Sequence, residues 1–368
     1  MLKKESSPVI YFTVTNDLTY DQRMIRICTS LSQAGYHVIL VGRQKKSSLP
    51  LTVQPFQQKR LKCYFEKGSF FYMEYSLRLF LYLLLKKMDA ICAIDLDTII
   101  PCYIISRIKK IKRVYDAHEL FCEMKEVVSR PAIYKIWKWI EKNTVPHFNF
   151  GYTVNVPIAN EFLKLYGCSY DIIQSMSVLE PVKENCKKEK FILYQGAVNE
   201  GRSFETLIPA MRWINIPLII CGDGNFIEQA RALAVSNKVT SKVEFKGMIS
   251  PGHLKEFTRK AYIGITLFDK NGLSNYYSLA NRFFDYIHAG TPQLCVDYPV
   301  YREINNFHNI GVLISDLSPA NIAKEINDLL NDEDKWLQFH NNCNKAAQIL
   351  NWQMEEKKLL TFYKNLFG

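Results

Sequence analysis

The sequence predicts an α/β protein with two doubly wound parallel-sheet domains, and three observations support this fold class. The chain has 368 residues, which is long for one hydrophobic core and sufficient for two. Short apolar runs alternate with amphipathic segments, the order that builds parallel sheets. A polar, charged segment at 178–190 interrupts this alternation, which then begins again. We therefore predict domains at 1–182 and 183–348, followed by a helical segment at 349–368.

The N-terminal domain is predicted to begin with a strand–helix–strand unit. Residues 9–14 and 37–42 are apolar runs of strand length. Between them, Met24 and Leu31 share one face of a helix that Gly35 ends. Three further strands with polar tips are predicted at 90–96, 113–120 and 150–155. After the break, the C-terminal domain is predicted to contain strands at 191–198, 217–224, 243–249, 261–268 and 291–297.

The composition excludes a disordered chain, because 48% of the residues are hydrophobic and 13% are aromatic. No apolar run is long enough to span a bilayer, and the first residues lack the apolar core of a signal peptide. The ten cysteines are scattered without a Cys-x-x-Cys pair, which is typical of reduced, buried thiols. We therefore expect a cytoplasmic protein.

The basic excess lies in the N-terminal half, where residues 1–185 hold 26 Lys and Arg against 17 Asp and Glu. Three segments of this half, 69–90, 106–114 and 130–143, mix apolar or aromatic residues with lysine and arginine. That mixture suits the headgroup level of an anionic membrane. It equally suits helices that bury one face and solvate the other, and both alternatives remain open. The segments are too apolar for a nucleic-acid-binding stripe, so no nucleic-acid partner is expected.

Polar residues in the C-terminal half follow the predicted strands, at the edge where open parallel sheets bind ligands. Gly196, Gly201 and Arg202 lie between a strand and a helix. An arginine suits phosphate there, because its fork donates two parallel hydrogen bonds. Gly222 begins a Gly-x-Gly at 222–224, which fits either a helix cap or a phosphate loop.

The segment "YYSLANRFFDYIHAGTPQ" at 276–293 supplies a second group of polar residues. Ser278 is the predicted N-cap of the following helix, whose spacing places Asn281 and Asp285 on one stripe. A carboxylate one turn into the helix can accept two hydrogen bonds from a ribose diol. These residues predict a crevice that binds a diphosphate and sugar hydroxyls.

The succession of these motifs resembles the donor-binding domain of GT-B nucleotide-sugar glycosyltransferases, most closely the retaining group 1 family (glycosyltransferase family 4). The matching stretches are 193–211, 218–224, 243–265, 278–294 and 301–304. The opening "NDLTYDQRMIRICTSLSQAGYHVILVG" resembles the family's first N-terminal unit. The resemblance implies two Rossmann-like domains facing across a cleft. It also implies that the N-terminal domain binds the acceptor, and that the C-terminal helix packs back on it.

The resemblance assigns the donor diphosphate to Arg202, which is also the implied catalytic cation. The family's preceding arginine is Ala197 here. Asp285 stands in the place of the glutamate that binds the nucleotide ribose, and Tyr277 in the place of the glutamate that holds the donor sugar. The remaining donor-site residues implied by the resemblance are Gly196, Gly222, Ser278, the amides of Leu279, Ala280 and Asn281, and the backbone of Ile249 against the nucleobase.

The resemblance also implies an acceptor side in the N-terminal domain. His118 in "VYDAHEL" matches the family's histidine near the anomeric carbon of the donor sugar, and is the second implied catalytic residue. Glu119, Asp21 and Arg23 are the implied acceptor contacts. His118 equally suits a capping or satisfied core histidine, and Arg23 a surface salt bridge. We expect Asp116 to be structural.

The resulting hypothesis is a retaining hexosyltransferase that moves a sugar from a UDP- or GDP-sugar to a glycan or lipid-linked acceptor. Polysaccharide or lipopolysaccharide assembly, at the inner face of a membrane, is the implied pathway. No metal and no intrinsic cofactor are expected, since Arg202 and helix dipoles can stabilise the leaving diphosphate. Two alternatives remain: a nucleotide-sugar 2-epimerase of similar fold, and a catalytically silent sugar-nucleotide-binding or scaffold protein.

Overall fold

The structure is a computed structural model that describes residues 7–181 and 187–368. The chain forms two compact units. Unit 1 comprises Met1–Cys122, Val127–Gln174 and Glu355–Gly368, and unit 2 comprises Glu123–Glu126 and Ser175–Met354. The domain boundary predicted between 182 and 183 lies outside the described residues.

Unit 1 contains a seven-stranded, wholly parallel sheet with the strand order β3-β2-β1-β4-β5-β6-β7. The strands are β1 Val9–Asp17, β2 His37–Gln44, β3 Gln57–Lys62, β4 Ala90–Ile94, β5 Lys112–Ala117, β6 Phe150–Thr153 and β7 Asp171–Ile172. β1 lies between β2 and β4, and its Phe12 is in register with Leu40 of β2 on one side and with Cys92 of β4 on the other. The carboxyl ends of β1, β4 and β5 therefore meet at one edge of the sheet.

Helices connect the strands of unit 1. They are α1 Gln22–Gln33, α2 Gly68–Leu84, α3 Ile99–Lys109, α5 Pro131–Thr144 and α6 Val156–Tyr166, and a short helix, α4 Lys125–Val128, spans the boundary with unit 2. In α1 the buried side chains include Met24, Ile27 and Leu31, as the spacing predicts. Gly35, with φ +94°, follows the helix in the left-handed region that favours glycine.

Unit 2 contains a six-stranded, wholly parallel sheet with the strand order β10-β9-β8-β11-β12-β13. The strands are β8 Glu189–Gln195, β9 Leu218–Cys221, β10 Val243–Gly247, β11 Ala261–Thr266, β12 Gln293–Val296 and β13 Gly311–Ile314. The helices are α7 Phe204–Ala210, α8 Ile227–Ser236, α9 Pro251–Lys260, α10 Leu273–Tyr276, α11 Asn281–His288, α12 Pro299–His308, α13 Pro319–Asn331 and α14 Glu333–Ala347. β8, the first strand, is central and pairs with β9 and β11.

The last helix, α15, runs from Trp352 to Phe367 and its final residues belong to unit 1. Tyr363 is fully buried there, with its ring centroid 6.0 Å from that of Phe12 and 6.4 Å from that of Tyr152. Its hydroxyl lies 3.4 Å from the Tyr152 hydroxyl. The end of the chain thus contributes to the core formed by the first strand.

Nine cysteines lie in the described residues, all as free thiols and all but Cys63 buried. Cys186 lies outside the described residues. Across the part of the chain that the structure describes, no helix is both long and apolar enough to cross a bilayer.

Replacing Tyr363 with alanine is expected to destabilise the protein by about 3–5 kcal/mol, because the loss of a buried aromatic ring leaves a cavity in the core of unit 1. The free energy of unfolding can be measured by denaturant titration. Tyr64, which is 82% exposed in the same unit, provides the control. Its alanine variant should change stability by about 0.5 kcal/mol or less, and an equal loss in the two variants would contradict the prediction.

Candidate functional site

Glycines bring the ends of β8, β9 and β10 close together in unit 2. The amide of Gly196 donates to the carbonyl of Cys221 at 3.0 Å, and the amide of Gly222 donates to the carbonyl of Gly247 at 2.8 Å. A Cβ atom on Gly222 would lie 1.8 Å from the carbonyl oxygen of Gly196, so no other residue fits there. Gly196 itself has φ +119°. This edge of the sheet is therefore bare backbone, which a ligand can approach closely.

Arg202 lies beyond this glycine edge and stacks on a buried ring. Its guanidinium carbon is 4.7 Å from the ring centroid of Phe268, and its Nη1 donates to Asn275 Oδ1 at 3.2 Å. The nearby Asp269 is paired with Lys125, whose Nζ lies 2.7 Å from Asp269 Oδ2. Among the described residues, no carboxylate forms an ion pair with Arg202. Its charge is available to an anion.

The turn that precedes α11 is held by a tyrosine and not by a serine cap. The N-cap of α11 is Ala280, with no side-chain hydrogen bond, so the predicted N-cap role of Ser278 is wrong. The hydroxyl of Tyr301 lies 3.2 Å from Ser278 Oγ and accepts the amide of Ala280 at 3.0 Å. Tyr301 is fully buried. The Ala280 amide, predicted to meet a phosphate, is thus already hydrogen-bonded within the fold.

The backbone amides of Leu279 and Asn281, on either side of Ala280, are the other two that were predicted to meet a phosphate. Leu279 has a buried side chain, and Asn281 is the exposed first residue of α11. Their contact with a phosphate stays a prediction.

Asp285 lies partly buried on α11 and accepts two hydrogen bonds within unit 2. Its Oδ1 accepts from Ser177 Oγ at 2.5 Å, and its Oδ2 accepts from Gln195 Nε2 at 2.9 Å. Gln195 in turn accepts from Thr258 Oγ1 at 2.7 Å. These bonds fix the direction of the carboxylate, and each oxygen keeps a second lone pair. The contact of Asp285 with a ribose stays a prediction.

Tyr277 and Ile249 occupy the two remaining predicted donor positions. Tyr277 is partly buried at the end of α10, with its ring centroid 5.3 Å from that of Tyr276. Ile249 follows β10 and packs against the cluster that contains Leu193, Cys221 and other buried residues. Both positions are compatible with the predicted contacts, which the structure does not test.

Arg282, on the first turn of α11, is one of the polar residues that the sequence places at this crevice, but no specific role was predicted for it. It is only 8% exposed, and its guanidinium carbon lies 4.7 Å from the ring centroids of both Tyr194 and Phe268. It therefore shares the Phe268 ring with Arg202. The sequence offers one signal for it, the i, i+3 spacing to Asp285 on the same helix.

In unit 1, a buried ion pair lies between α1 and the end of β5. Arg23 is 3% exposed and Asp116 is fully buried. The Nη2 of Arg23 lies 2.8 Å from Asp116 Oδ1, and its Nη1 donates to the carbonyl of Ile173 at 2.9 Å. Although burial would raise the pKa of Asp116, the charges of Arg23 and His118 hold it below its ordinary value. Asp116 is structural, as expected, and Arg23 has little surface left for the acceptor contact predicted for it.

His118 lies between two carboxylates at the same sheet edge. Its Nδ1 is 3.3 Å from Asp95 Oδ2, its Nε2 is 3.1 Å from Asp116 Oδ2, and its side chain is 21% exposed. Burial alone would lower the pKa of His118, but the carboxylates of Asp116 and Asp95 hold it well above its ordinary value. The two carboxylates thus favour the protonated form of the partly exposed His118 imidazole.

A third carboxylate, Asp97, lies near these groups. Burial and the charge of Asp95 raise the pKa of Asp97 to about 7, although a hydrogen bond from Thr15 Oγ1 opposes this shift. Asp95, which adjoins it through Leu96, has φ +53°, an uncommon conformation for a residue with a Cβ. The cluster therefore combines a histidine whose pKa is raised with two carboxylates whose pKa values are shifted in opposite directions, Asp97 upward and Asp116 downward.

The two other predicted acceptor residues, Asp21 and Glu119, lie at the ends of β1 and β5. Asp21 is the N-cap of α1, where it accepts from the amide of Met24 at 3.1 Å and from Asn16 Nδ2 at 3.0 Å. Glu119 is partly buried beside His118. Across residues 7–181 and 187–368, no group of three His, Cys, Asp or Glu side chains is placed to hold a metal ion.

The family described as glycosyl transferases group 1 matches residues 179–349, which cover nearly all of the described part of unit 2. Residues 179–349 belong to that family. The predicted resemblance is confirmed at this level. No curated protein matches the chain.

Solved structures of low sequence identity share the fold of this chain over almost its whole length. Sucrose-phosphate synthase (tll1590) from Thermosynechococcus elongatus has a TM-score of 0.79 at 17% identity, covering 98% of this chain and 99% of its own. Anabaena Alr3699/HepE in complex with UDP-glucose has a TM-score of 0.75 at 10% identity, covering 97% and 100%. WaaG, a glycosyltransferase involved in lipopolysaccharide biosynthesis, has a TM-score of 0.71 at 14% identity, covering 95% and 98%. The predicted GT-B fold is confirmed.

The raised pKa of His118 predicts a pH dependence of the protein's stability. The folded state binds the His118 proton more tightly than the unfolded chain does. The resulting stabilisation is complete below the ordinary pKa of 6.5 and is lost as the pH rises through the folded-state value. In His118→Gln, we expect the unfolding temperature to fall less steeply between about pH 7 and about pH 9 than in the native protein.

The exposed His37 of the same unit supplies the control, since His37→Gln should keep the native pH dependence. Thermal unfolding followed by circular dichroism at several pH values gives the slopes. Parallel curves for the native protein and His118→Gln would contradict the prediction.

Proposed function

We propose that the protein transfers a sugar from a UDP- or GDP-sugar to the hydroxyl of a glycan or lipid-linked acceptor, with retention at the anomeric carbon. The observation that carries this proposal is the glycine edge of unit 2, which lies within the residues that match the glycosyl transferases group 1 family. There, the bare backbone of Gly196 and Gly222 lies near the end of the strand that leads to Arg202. The similarity to Anabaena Alr3699/HepE, whose structure contains UDP-glucose, adds support for a nucleotide-sugar donor.

The proposed step exchanges one bond at the anomeric carbon. The bond from C1 to the diphosphate oxygen breaks, and the acceptor oxygen forms a new bond to C1 from the same face. The acceptor proton passes to the oxygen of the departing diphosphate. Arg202 stabilises the charge that develops on that diphosphate, and fixed donors of this kind are most effective where water is excluded. No metal or intrinsic cofactor takes part in this proposal.

The remaining predicted site residues enter the proposal in two groups. Asp285 binds the nucleotide ribose, and its direction is already fixed by Ser177 and Gln195. Tyr277 lies against the donor sugar and contributes to its selection. In unit 1, His118 helps to place the acceptor, and its positive charge suits an acceptor that carries phosphate.

We further propose that the protein works in the cytoplasm at an anionic membrane surface, in polysaccharide or lipopolysaccharide assembly. Support comes from the α2 face, which we define as Phe70, Met73, Leu77 and Leu81. These residues follow one side of the helix and are 54% to 67% exposed. The buried side of the same helix holds Phe71, Tyr75, Leu79 and Leu83. The helix therefore buries one apolar side in unit 1 and leaves a second apolar side exposed.

Basic and aromatic side chains lie on the neighbouring helices of unit 1. Exposed Arg107 and Lys110 lie at or beside the end of α3, and Trp139 is exposed on α5. An apolar face bordered by lysine and arginine suits the boundary between headgroups and acyl chains.

The donor proposal predicts that a UDP- or GDP-sugar at 100 times its dissociation constant stabilises the protein by about 2.7 kcal/mol. Arg202→Gln and Asp285→Asn should each weaken donor binding by about 10-fold or more, because each removes a charged hydrogen-bonding partner. Thermal unfolding with a panel of nucleotide sugars measures both effects. Arg212, an exposed arginine of unit 2, provides the control as Arg212→Gln.

The same panel, incubated with an acceptor glycan, separates transfer from epimerisation. Transfer releases free nucleoside diphosphate in step with acceptor use, whereas a 2-epimerase changes the sugar without acceptor consumption. If both variants bind the donor as tightly as the native protein does, the proposed donor site is incorrect.

The membrane proposal predicts that the protein sediments with vesicles that contain anionic lipid, and that added salt weakens this binding. Replacing Leu77 and Leu81 together with serine should reduce the bound fraction by about tenfold, because two apolar side chains no longer enter the interface. Leu337→Ser with Ile349→Ser, at exposed apolar positions of unit 2, is the matched control. Equal sedimentation of the native protein with neutral and anionic vesicles, unaffected by salt, would contradict the proposal.

A further inference from the structure

Arg282 is a buried cation without an anionic partner. Its side chain is 8% exposed, and its Nε and Nη2 atoms are buried without any hydrogen-bond acceptor. Within the described part of the chain, only Nη1 has a hydrogen-bond partner, the hydroxyl of Tyr194 at 3.4 Å. Among the described residues, no carboxylate forms an ion pair with it. Burying a charge with unused donors is costly, so such a group usually has a role that offsets the cost.

The rings around Arg282 hold its position but leave its Nε and Nη2 donors unused. The guanidinium carbon lies 4.7 Å from the ring centroids of both Tyr194 and Phe268. The ring of Tyr194 is itself fixed, because its hydroxyl donates to the carbonyl of Ala197 at 2.6 Å. Cation–π contacts stabilise the positive charge through the faces of the rings. The Nε and Nη2 donors, which lie in the plane of the guanidinium, remain without an acceptor among the described residues.

A second cation lies on the same buried ring. Arg202 and Arg282 each place their guanidinium carbon 4.7 Å from the centroid of Phe268, so the two carbons are within twice that distance of each other. The carboxylate closest in sequence to this ring, Asp269, is paired with Lys125 and Asn275. Two like charges placed together without a carboxylate repel each other. An anion that bears several charges would relieve this repulsion.

The glycine edge lies beside Arg282. A Cβ atom on Gly196 would lie 3.4 Å from Arg282 Nη1, which places this donor next to the bare backbone at the end of β8. Gly222 lies against the carbonyl of Gly196 on the other side. The loop itself carries the uncharged Ala197 at the next position. The guanidinium of Arg282 therefore reaches, from α11, the place where the loop lacks a cation.

We infer that Arg282 binds the diphosphate of the donor together with Arg202, supplying from α11 the second cation of the diphosphate site. This inference rests on the proposed function, because that function names the diphosphate as the anion. It adds a binding residue on a different element from the loop that carries Arg202. The fork of Arg282 would donate its Nε and Nη2 hydrogens to phosphate oxygens, which satisfies the two buried donors.

The test compares Arg282→Gln and Arg282→Lys with the native protein. Calorimetry measures binding of UDP, GDP, uridine, guanosine and inorganic pyrophosphate, and thermal unfolding measures the stability of the unliganded protein. Arg282→Gln should bind the nucleoside diphosphate about 10- to 100-fold more weakly and the matching nucleoside unchanged. Arg282→Lys should lose less affinity, since it keeps the charge but not the fork.

The unliganded stability separates a binding role from a packing role. A binding residue that is buried without a partner destabilises the unliganded protein, so Arg282→Gln should unfold at the native temperature or above it. Arg212→Gln, which removes an exposed arginine stacked 5.5 Å from the ring centroid of Trp213, is the control and should change neither stability nor binding. If Arg282→Gln unfolds at a lower temperature and loses equal affinity for nucleoside and nucleoside diphosphate, the inference is overturned.

The remaining outcomes distinguish this inference from the proposed function. If UDP or GDP binds equally to the native protein and to both Arg282 variants, the inference fails and the proposed function stands. If the native protein binds pyrophosphate through Arg282 but binds neither nucleotide, the anion-binding role of Arg282 stands and the proposed function fails. If the native protein binds none of the three phosphate compounds, both fail.

Discussion

Moving a charged side chain out of water costs several kcal/mol unless hydrogen bonds or an opposite charge replace the lost hydration. Both units place charged side chains at the carboxyl ends of parallel strands, and they meet this cost in different ways. In unit 1, Arg23 and Asp116 neutralise each other, and His118 lies against the carboxylate that results. In unit 2, Arg282 is surrounded by rings and has no carboxylate partner within the described chain. Arg23 is paired with a carboxylate at the first edge, whereas Arg282 at the second edge has no ion pair among the described residues.

The central strands of both sheets could be predicted because they are buried on both faces and consist of apolar runs. The strands that the sequence did not predict are at the sheet edges. β3, Gln57–Lys62, is largely polar, β7 has two residues, and β13 has four. An edge strand is covered on fewer sides, so it needs no continuous apolar run. The fold class followed from the central strands alone.

The polar sites were less predictable, because their partners are distant in sequence. Arg23 and Asp116 are 93 residues apart in the sequence. A surface salt bridge was one alternative for Arg23, but the sequence did not show that the ion pair would be buried. Ser278 has the residue type of an N-cap, yet the helix begins at Asn281 because Tyr301 holds the preceding turn. Arg282 directly follows the polar Asn281 in the sequence, and only the structure shows that the rings of Tyr194 and Phe268 enclose it. Local patterns indicated which polar residues follow the strands, but not the contacts that these residues make with distant parts of the chain.

Neither unit is one continuous stretch of chain, and this affects the order in which the protein can fold during synthesis. Domains made first usually fold first as the chain leaves the ribosome. Here the first 122 residues belong to unit 1, but its last segment, Glu355–Gly368, is made only after all of unit 2. Until then the core around Phe12 and Tyr152 lacks the ring of Tyr363. Unit 2 can therefore be complete in a nascent chain while unit 1 still lacks its C-terminal helix. During that interval the apolar surface of unit 1 that Tyr363 later covers is accessible to chaperones.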